Sequence, residues 1–146
     1  MHRLARSLLL TLTLVSGGVI DAYSAEVDIG LLDAVKIADE EAVRAALSRG
    51  ADIISPEIDG TTALHWAVHA DNTTIVELLL DAGADANATN RYDVQPISLA
   101  ATNGNGDVTA LLLDAGANPN ATTTEGETVL MTAARTGSLD VVRLLL

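Results

Sequence analysis

Apolar positions along this chain come in short bursts at helical spacing. Within residues 62–70, Leu64, Ala67 and Val68 fall at i, i+3 and i+4, and after a break at Asp71-Asn72 a second burst follows at Ile75, Val76, Leu78, Leu79 and Leu80. Such spacing gathers apolar side chains on one face, so the segment predicts a pair of helices of about two to three turns each. The burst recurs. Gly50-Ala51-Asp52, Gly83-Ala84-Asp85 and Gly116-Ala117-Asn118 repeat every 33 residues. Three apolar columns keep the same register: Leu47, Leu80, Leu113 and Leu146; Leu31, Leu64, Ile97 and Leu130; Ala34, Ala67, Ala100 and Ala133. A unit of that length cannot bury its apolar face alone, so copies must stack into a continuous core. The glycines sit just past the second burst, where a helix stop needs a residue that tolerates left-handed backbone. The alanine column lets first helices of neighbouring units approach closely, and the polar stretches after each glycine read as turns and loops.

Composition sharpens this picture. The 146 residues suit one domain. Hydrophobic residues make up 49% but aromatics only 2%. The core is therefore built from Ala, Leu, Val and Ile, a set that favours helices. Twenty acidic side chains against eight basic ones give a net charge of −12. That field repels phosphate backbones and anionic lipid surfaces, so nucleic acid is excluded as an expected partner. The absence of Cys removes disulfides, thiol nucleophiles and Cys-based zinc sites together. Residues 1–25 differ from the rest: Arg3 and Arg6 precede the apolar run Leu8–Val15, and Ser16-Gly17-Gly18 and Ala22-Tyr23-Ser24-Ala25 supply small residues. This pattern predicts a signal peptide cut after Ser24 or Gly18, with an uncleaved anchor reaching Ile20 as the alternative. The expectation is an exported chain, periplasmic or secreted, that is soluble and does not engage a membrane once mature.

The string from Asp59 to Ala67, Asp-Gly-Thr-Thr-Ala-Leu-His-Trp-Ala, followed by residues 75–88, resembles an ankyrin repeat almost throughout. The resemblance, to an exported bacterial type, implies an all-α ankyrin-repeat solenoid of stacked helix-turn-helix units with β-turn fingers. It covers a domain at residues 25–146, with units at about 26–56 (divergent, capping), 57–89, 90–122 and 123–146 (incomplete). The family's Thr-Pro-Leu-His tetrapeptide stands here as Thr62-Ala63-Leu64-His65, Gln95-Pro96-Ile97-Ser98 and Thr128-Val129-Leu130-Met131. Its helix-start hydrogen-bond network is therefore expected complete in one unit only. The glycine between the two helices is Asp71 in the second unit and Gly104 and Gly137 in the next two, and the first unit carries Asp39-Glu40-Glu41 in place of the tetrapeptide. The last residues, Leu144-Leu145-Leu146, lack the Gly-Ala-Asp stop. Stacking of this uncapped unit on further repeats or on another copy is the corresponding expectation.

Reactive constellations are weak. His65 and His69 have the i, i+4 spacing of two metal ligands on one helix face. The motif lacks its Glu and a third ligand, and the resemblance gives His65 a structural role bonding the neighbouring finger. Asp114, Asn118, Asn120 and Glu125 match positions of a calcium loop, but Pro119 occupies the place that demands Gly, and Asp81 and Asp85 repeat the pattern one unit earlier. Histidines are too few and too constrained for a nucleophilic triad. Three glycan acceptor patterns, at Asn72, Asn87 and Asn120, read as structural asparagines. Neither cofactor nor metal is expected, and the chain is expected not to be an enzyme. The resemblance implies binding of an as yet unidentified protein through finger tips and the exposed, concave face of the first helices. Carried over by position, these are Ile58, Asp59 and Thr61; Arg91, Tyr92 and Val94; Thr124, Glu125 and Glu127; and His69, Ala70, Thr102, Asn103, Arg135 and Thr136. Tyr92 and Arg91 are the expected anchors. Two alternatives remain at this point: the array is the N-terminal regulatory or targeting part of a longer enzyme, or it assembles with itself.

Overall fold

The computed structural model describes residues 29–146, so the expected signal at residues 1–24 lies outside the described residues. Those residues form eight helices in four pairs: α1 (Leu31–Lys36) with α2 (Glu40–Ser48), α3 (Ala63–His69) with α4 (Thr73–Asp81), α5 (Pro96–Asn103) with α6 (Gly106–Asp114), and α7 (Val129–Thr136) with α8 (Leu139–Leu145). First helices pack in one row, α1 on α3 on α5 on α7, and second helices in another, α2 on α4 on α6 on α8. All-α stacking of helix-turn-helix units is thus what the 33-residue period encodes. The core runs unbroken between the rows through Leu64, Val76, Leu79, Ile97, Val108, Leu112 and Val129, with Ala34, Ala67, Ala100 and Ala133 buried where first helices touch.

Each second helix starts on a side-chain cap, from Asp39, Asn72, Asn105 or Ser138. Asp39 Oδ1 accepts from the backbone N–H groups of Glu41 and Ala42, so the acidic run of the first pair is a helix start. First helices differ more. Thr62 and His65 form a reciprocal capping box. Thr128 and Met131 reproduce its outline with a sulfur atom, a weak acceptor, taking the backbone bond. Gln95 makes no side-chain cap, and its buried Oε1 is left without a partner. There Pro96, preset for the first helical position, starts the helix instead.

The corner inside each pair requires a left-handed residue. Gly104 and Gly137 supply it with φ of 71° and 76°, but Ala38 and Asp71 adopt φ of 55° and 57° with a side chain in place. Left-handed backbone costs an L-residue roughly 1–2 kcal/mol. Ala38→Gly should therefore stabilise the fold by about 0.5–1 kcal/mol, after the extra freedom glycine gives the unfolded chain is subtracted. Urea unfolding midpoints would show it; an unchanged or lowered midpoint would mean the corner is not strained. Asp71→Gly should gain nothing comparable, because Asp71 Oδ1 accepts the Asn105 amide at 2.8 Å.

Candidate protein-binding face

Loops between the pairs project as tight turns at residues 57–61, 90–94 and 123–127. Each closes twice on itself: Glu57 N–H donates to Thr61 O and Gly60 N–H to Glu57 O, and the bonds recur at Asn90/Val94 and Thr123/Glu127. Adjacent turns are also tied to each other. Arg91 N–H donates to Asp59 O at 2.7 Å, and a Cβ on Gly60 would lie 3.1 Å from Asn90 Cα, so the first turn keeps a glycine where the second passes. Thr124 Oγ1 donates to Tyr92 O at 3.3 Å, linking the second turn to the third. The row of fingers is consequently a bonded edge, and what it presents is held in place.

His65 anchors the second helix pair to the finger at residues 90–94. It is buried, with Nδ1 accepting from Thr62 N–H at 3.1 Å and Nε2–H donating to Val94 O at 3.0 Å. Both ring nitrogens are engaged in the fold, which removes it as a partner for His69 at a metal. Burial holds the imidazole below its ordinary pKa of 6.5, against the opposing influences of the Val94 carbonyl and the Asp59 charge. Among the described residues no group of three or more metal-ligating side chains comes together.

The candidate contact residues divide on geometry. Ile58 is 99% exposed and Tyr92 60% exposed, and Glu125 on the last turn is exposed as well. His69 is exposed at the end of α3, meeting the Trp66 ring edge-on at 6.2 Å. Thr102, Arg135 and Ala70 also face solvent. Others are committed to the stack. Arg91 is exposed, yet its Nη2 donates to Ile58 O at 3.1 Å. The Asn103 amide donates to Val68 O at 2.7 Å, and Thr136 Oγ1 to Ala101 O at 3.2 Å. Thr61 and Val94 are half-buried, Val94 as the His65 acceptor. Asp59 caps its own turn through Thr61 N–H, which draws its carboxyl below the usual range. Glu127 is half-buried and pairs with Arg135 at 3.2 Å.

One constellation escaped sequence reasoning. Glu57 accepts from Lys36 Nζ on one oxygen and from Trp66 Nε1 at 2.7 Å on the other, while Lys36 Nζ lies 4.9 Å from the Trp66 ring centroid. These bonds, the Lys36 one foremost, hold the Glu57 carboxyl below its ordinary pKa. A cation, a carboxylate and the chain's one Trp thus form a joint across the first two helix pairs, on the side of the fingers. The lone Trp in a chain of 2% aromatics was the available signal.

Helix pairs stacked in two rows, edged by linked turns and held by a histidine at a helix start, define a helical-repeat scaffold. Family models separate the possible kinds: one described as ankyrin repeats (3 copies) matches residues 31–123 and again 88–146. The chain belongs to the ankyrin-repeat family. Relatives include the E3 ubiquitin-protein ligase KEG of Arabidopsis thaliana, 38% identical over 65 residues, or 44% of this chain and 4% of the relative. Palmitoyltransferase ZDHHC17 of Danio rerio is 54% identical over 39 residues, 27% of this chain and 6% of that protein. The potassium channel AKT1 of Arabidopsis thaliana is 40% identical over 55 residues, 38% of this chain and 6% of the channel. The chain therefore spans a small fraction of the length of each of these relatives. They also correct the expected location. These relatives are cytoplasmic or membrane-associated proteins of a plant and a fish, which overturns the expectation of a periplasmic or secreted protein. That expectation of location rested on a short apolar run behind two arginines, a local pattern outside the described residues. No helix among the described residues is long and apolar enough to cross a membrane.

Proposed function

We propose that the array binds a protein partner through its finger tips and the exposed face of its first helices. The observation that carries this reading is Ile58 and Tyr92, large and exposed on turns whose backbones are bonded to the neighbouring turns. A contact residue held in place loses little freedom when it is covered, so its burial contributes nearly in full to affinity. Arg91 supports the tips from within, His69 and Arg135 extend the surface onto the helices, and Glu125 supplies a rim charge. Asn103, Thr61 and Val94 belong to the scaffold beneath. The array performs no chemistry; it positions a surface.

Tyr92→Ala is expected to weaken partner binding by about 1–3 kcal/mol and to change folding stability by less than about 0.5 kcal/mol. The measurement is titration calorimetry with the partner recovered on the immobilised array, beside urea unfolding of the variant. Affinity unchanged in both Tyr92→Ala and Ile58→Ala would remove the fingers from the interface. A second reading, that the array is the regulatory or targeting segment of a larger enzyme, is favoured by the small share of each relative that the matched segment represents. Sequencing the complete transcript distinguishes the two.

A further inference from the structure

We propose that Asn105 is a site of spontaneous self-modification, losing its side-chain amide to the backbone nitrogen of Gly106, and that the product loosens the joint between the second and third helix pairs. Residues 103–106 read Asn-Gly-Asn-Gly. In such a pair the deprotonated backbone nitrogen of the glycine attacks Cγ of the asparagine. A carbon–nitrogen bond forms, the bond to the side-chain nitrogen breaks, and ammonia leaves. Water then opens the cyclic imide at either carbonyl, giving Asp or an isoaspartate whose main chain runs through the side chain. Water is the sole co-reactant. Glycine lacks the Cβ that would obstruct the attacking nitrogen.

The fold treats the two pairs differently. Gly104 N–H, the nitrogen that would attack Asn103, donates to Ala101 O at 3.2 Å, and Asn103 itself is the last residue of α5. Gly106 opens α6, where backbone N–H groups have no partner within the helix. Asn105 precedes it in non-helical backbone, with ψ of 106°, and is half-buried, so water reaches it. The equivalent positions of the neighbouring pairs are less prone: Asn72 is followed by the β-branched Thr73, and Ser138 carries no amide.

Asn105 also occupies the joint. Its Oδ1 accepts from Val108 N–H at 3.0 Å, and its Nδ2 donates to Asp71 Oδ1 at 2.8 Å. Loss of the amide puts a carboxylate against the Asp71 carboxylate, replacing an attraction with a repulsion. The isoaspartate form further lengthens the main chain at the helix start and pulls the cap away from Val108. Substitutions isolate these effects. N105D should melt about 3–6 °C below N105S, which keeps a capping oxygen without adding charge. D71N/N105D, which restores an amide facing a carboxylate, should recover most of that loss.

The experiment ages the purified full chain in mildly alkaline buffer made with heavy-oxygen water and maps peptides by mass. The expected result is heavy-oxygen incorporation with isoaspartate at Asn105, running several-fold ahead of Asn103 and Asn72, and absent in N105S. The modified fraction, separated by charge, should melt below the unmodified one. Asn105 still intact after Asn103 or Asn72 has reacted would overturn the site. N105D melting with N105S, or a double variant no better than N105D, would overturn the loosened joint.

Discussion

Leu79→Ala should cost about 2–5 kcal/mol of folding stability, the largest single-residue loss expected in this molecule. Leu79 is fully buried in α4, and α4 packs on its own partner α3 and on both neighbours of its row, α2 and α6. A cavity at that point cannot be closed by moving one helix without opening a gap beside another. Stability in a stack is close to a sum of unit terms and nearest-neighbour interfaces, so weakening an inner unit also uncouples what lies on either side. The urea transition should accordingly move to lower concentration and broaden, with amide exchange in α1 and α2 separating from that in α5 to α8. A sharp transition with an unshifted midpoint would contradict the packing described.

His65→Ala should cost about 3 kcal/mol, because it leaves the Thr62 N–H without its partner, removes one of the two donors to the Val94 carbonyl, the Asn90 N–H being the other, and empties a core position. The same residue confers a pH dependence whose sign is fixed by its environment. Burial lowers its folded pKa below 6.5, so the unfolded chain binds the extra proton more readily. Stability is thus fully present above pH 6.5 and declines as pH falls from there toward the folded pKa, below which it levels off. Protonation would set an N–H on Nδ1 against the Thr62 N–H it now accepts. Thermal melts at intervals through this range should slope in the wild type and be flat in His65→Ala; equal slopes would assign the dependence to other groups. A separate acid-side loss belongs to Glu57 and Asp59. Both carboxyls are held below their ordinary values of 4.5 and 3.8, so their contribution is present above those values and lost as pH falls through the lowered ones.

The candidate contact face was less legible than the fold. Ile58 and Tyr92 could be placed at finger tips because the register fixes the turn positions. The availability of a side chain depends on what the neighbouring unit does with it, as Asn103 and Thr136 show by donating back to carbonyls of the preceding pair. Glu57, Lys36 and Trp66 stand at unrelated positions of the period and meet only when the first two pairs are stacked. Ala38 shares the register column of Asp71, Gly104 and Gly137, 33 residues apart, so the repeat marks its corner although an alanine there gives no local sign of left-handed backbone.

What the sequence by itself determined is the repeating unit: two amphipathic bursts, a glycine stop and a polar turn, each a local property set by side-chain spacing and backbone freedom. A period of 33 residues then compelled stacking, because one pair alone leaves its apolar face in water. Tertiary structure decided the rest: which polar groups bind the units together, which carboxylates and imidazole are shifted, and which finger residues stay exposed. Those outcomes depend on angstrom-scale distances between residues roughly one period apart, as in the 2.7 Å bond from Asn103 to Val68, and only the packed stack sets such distances.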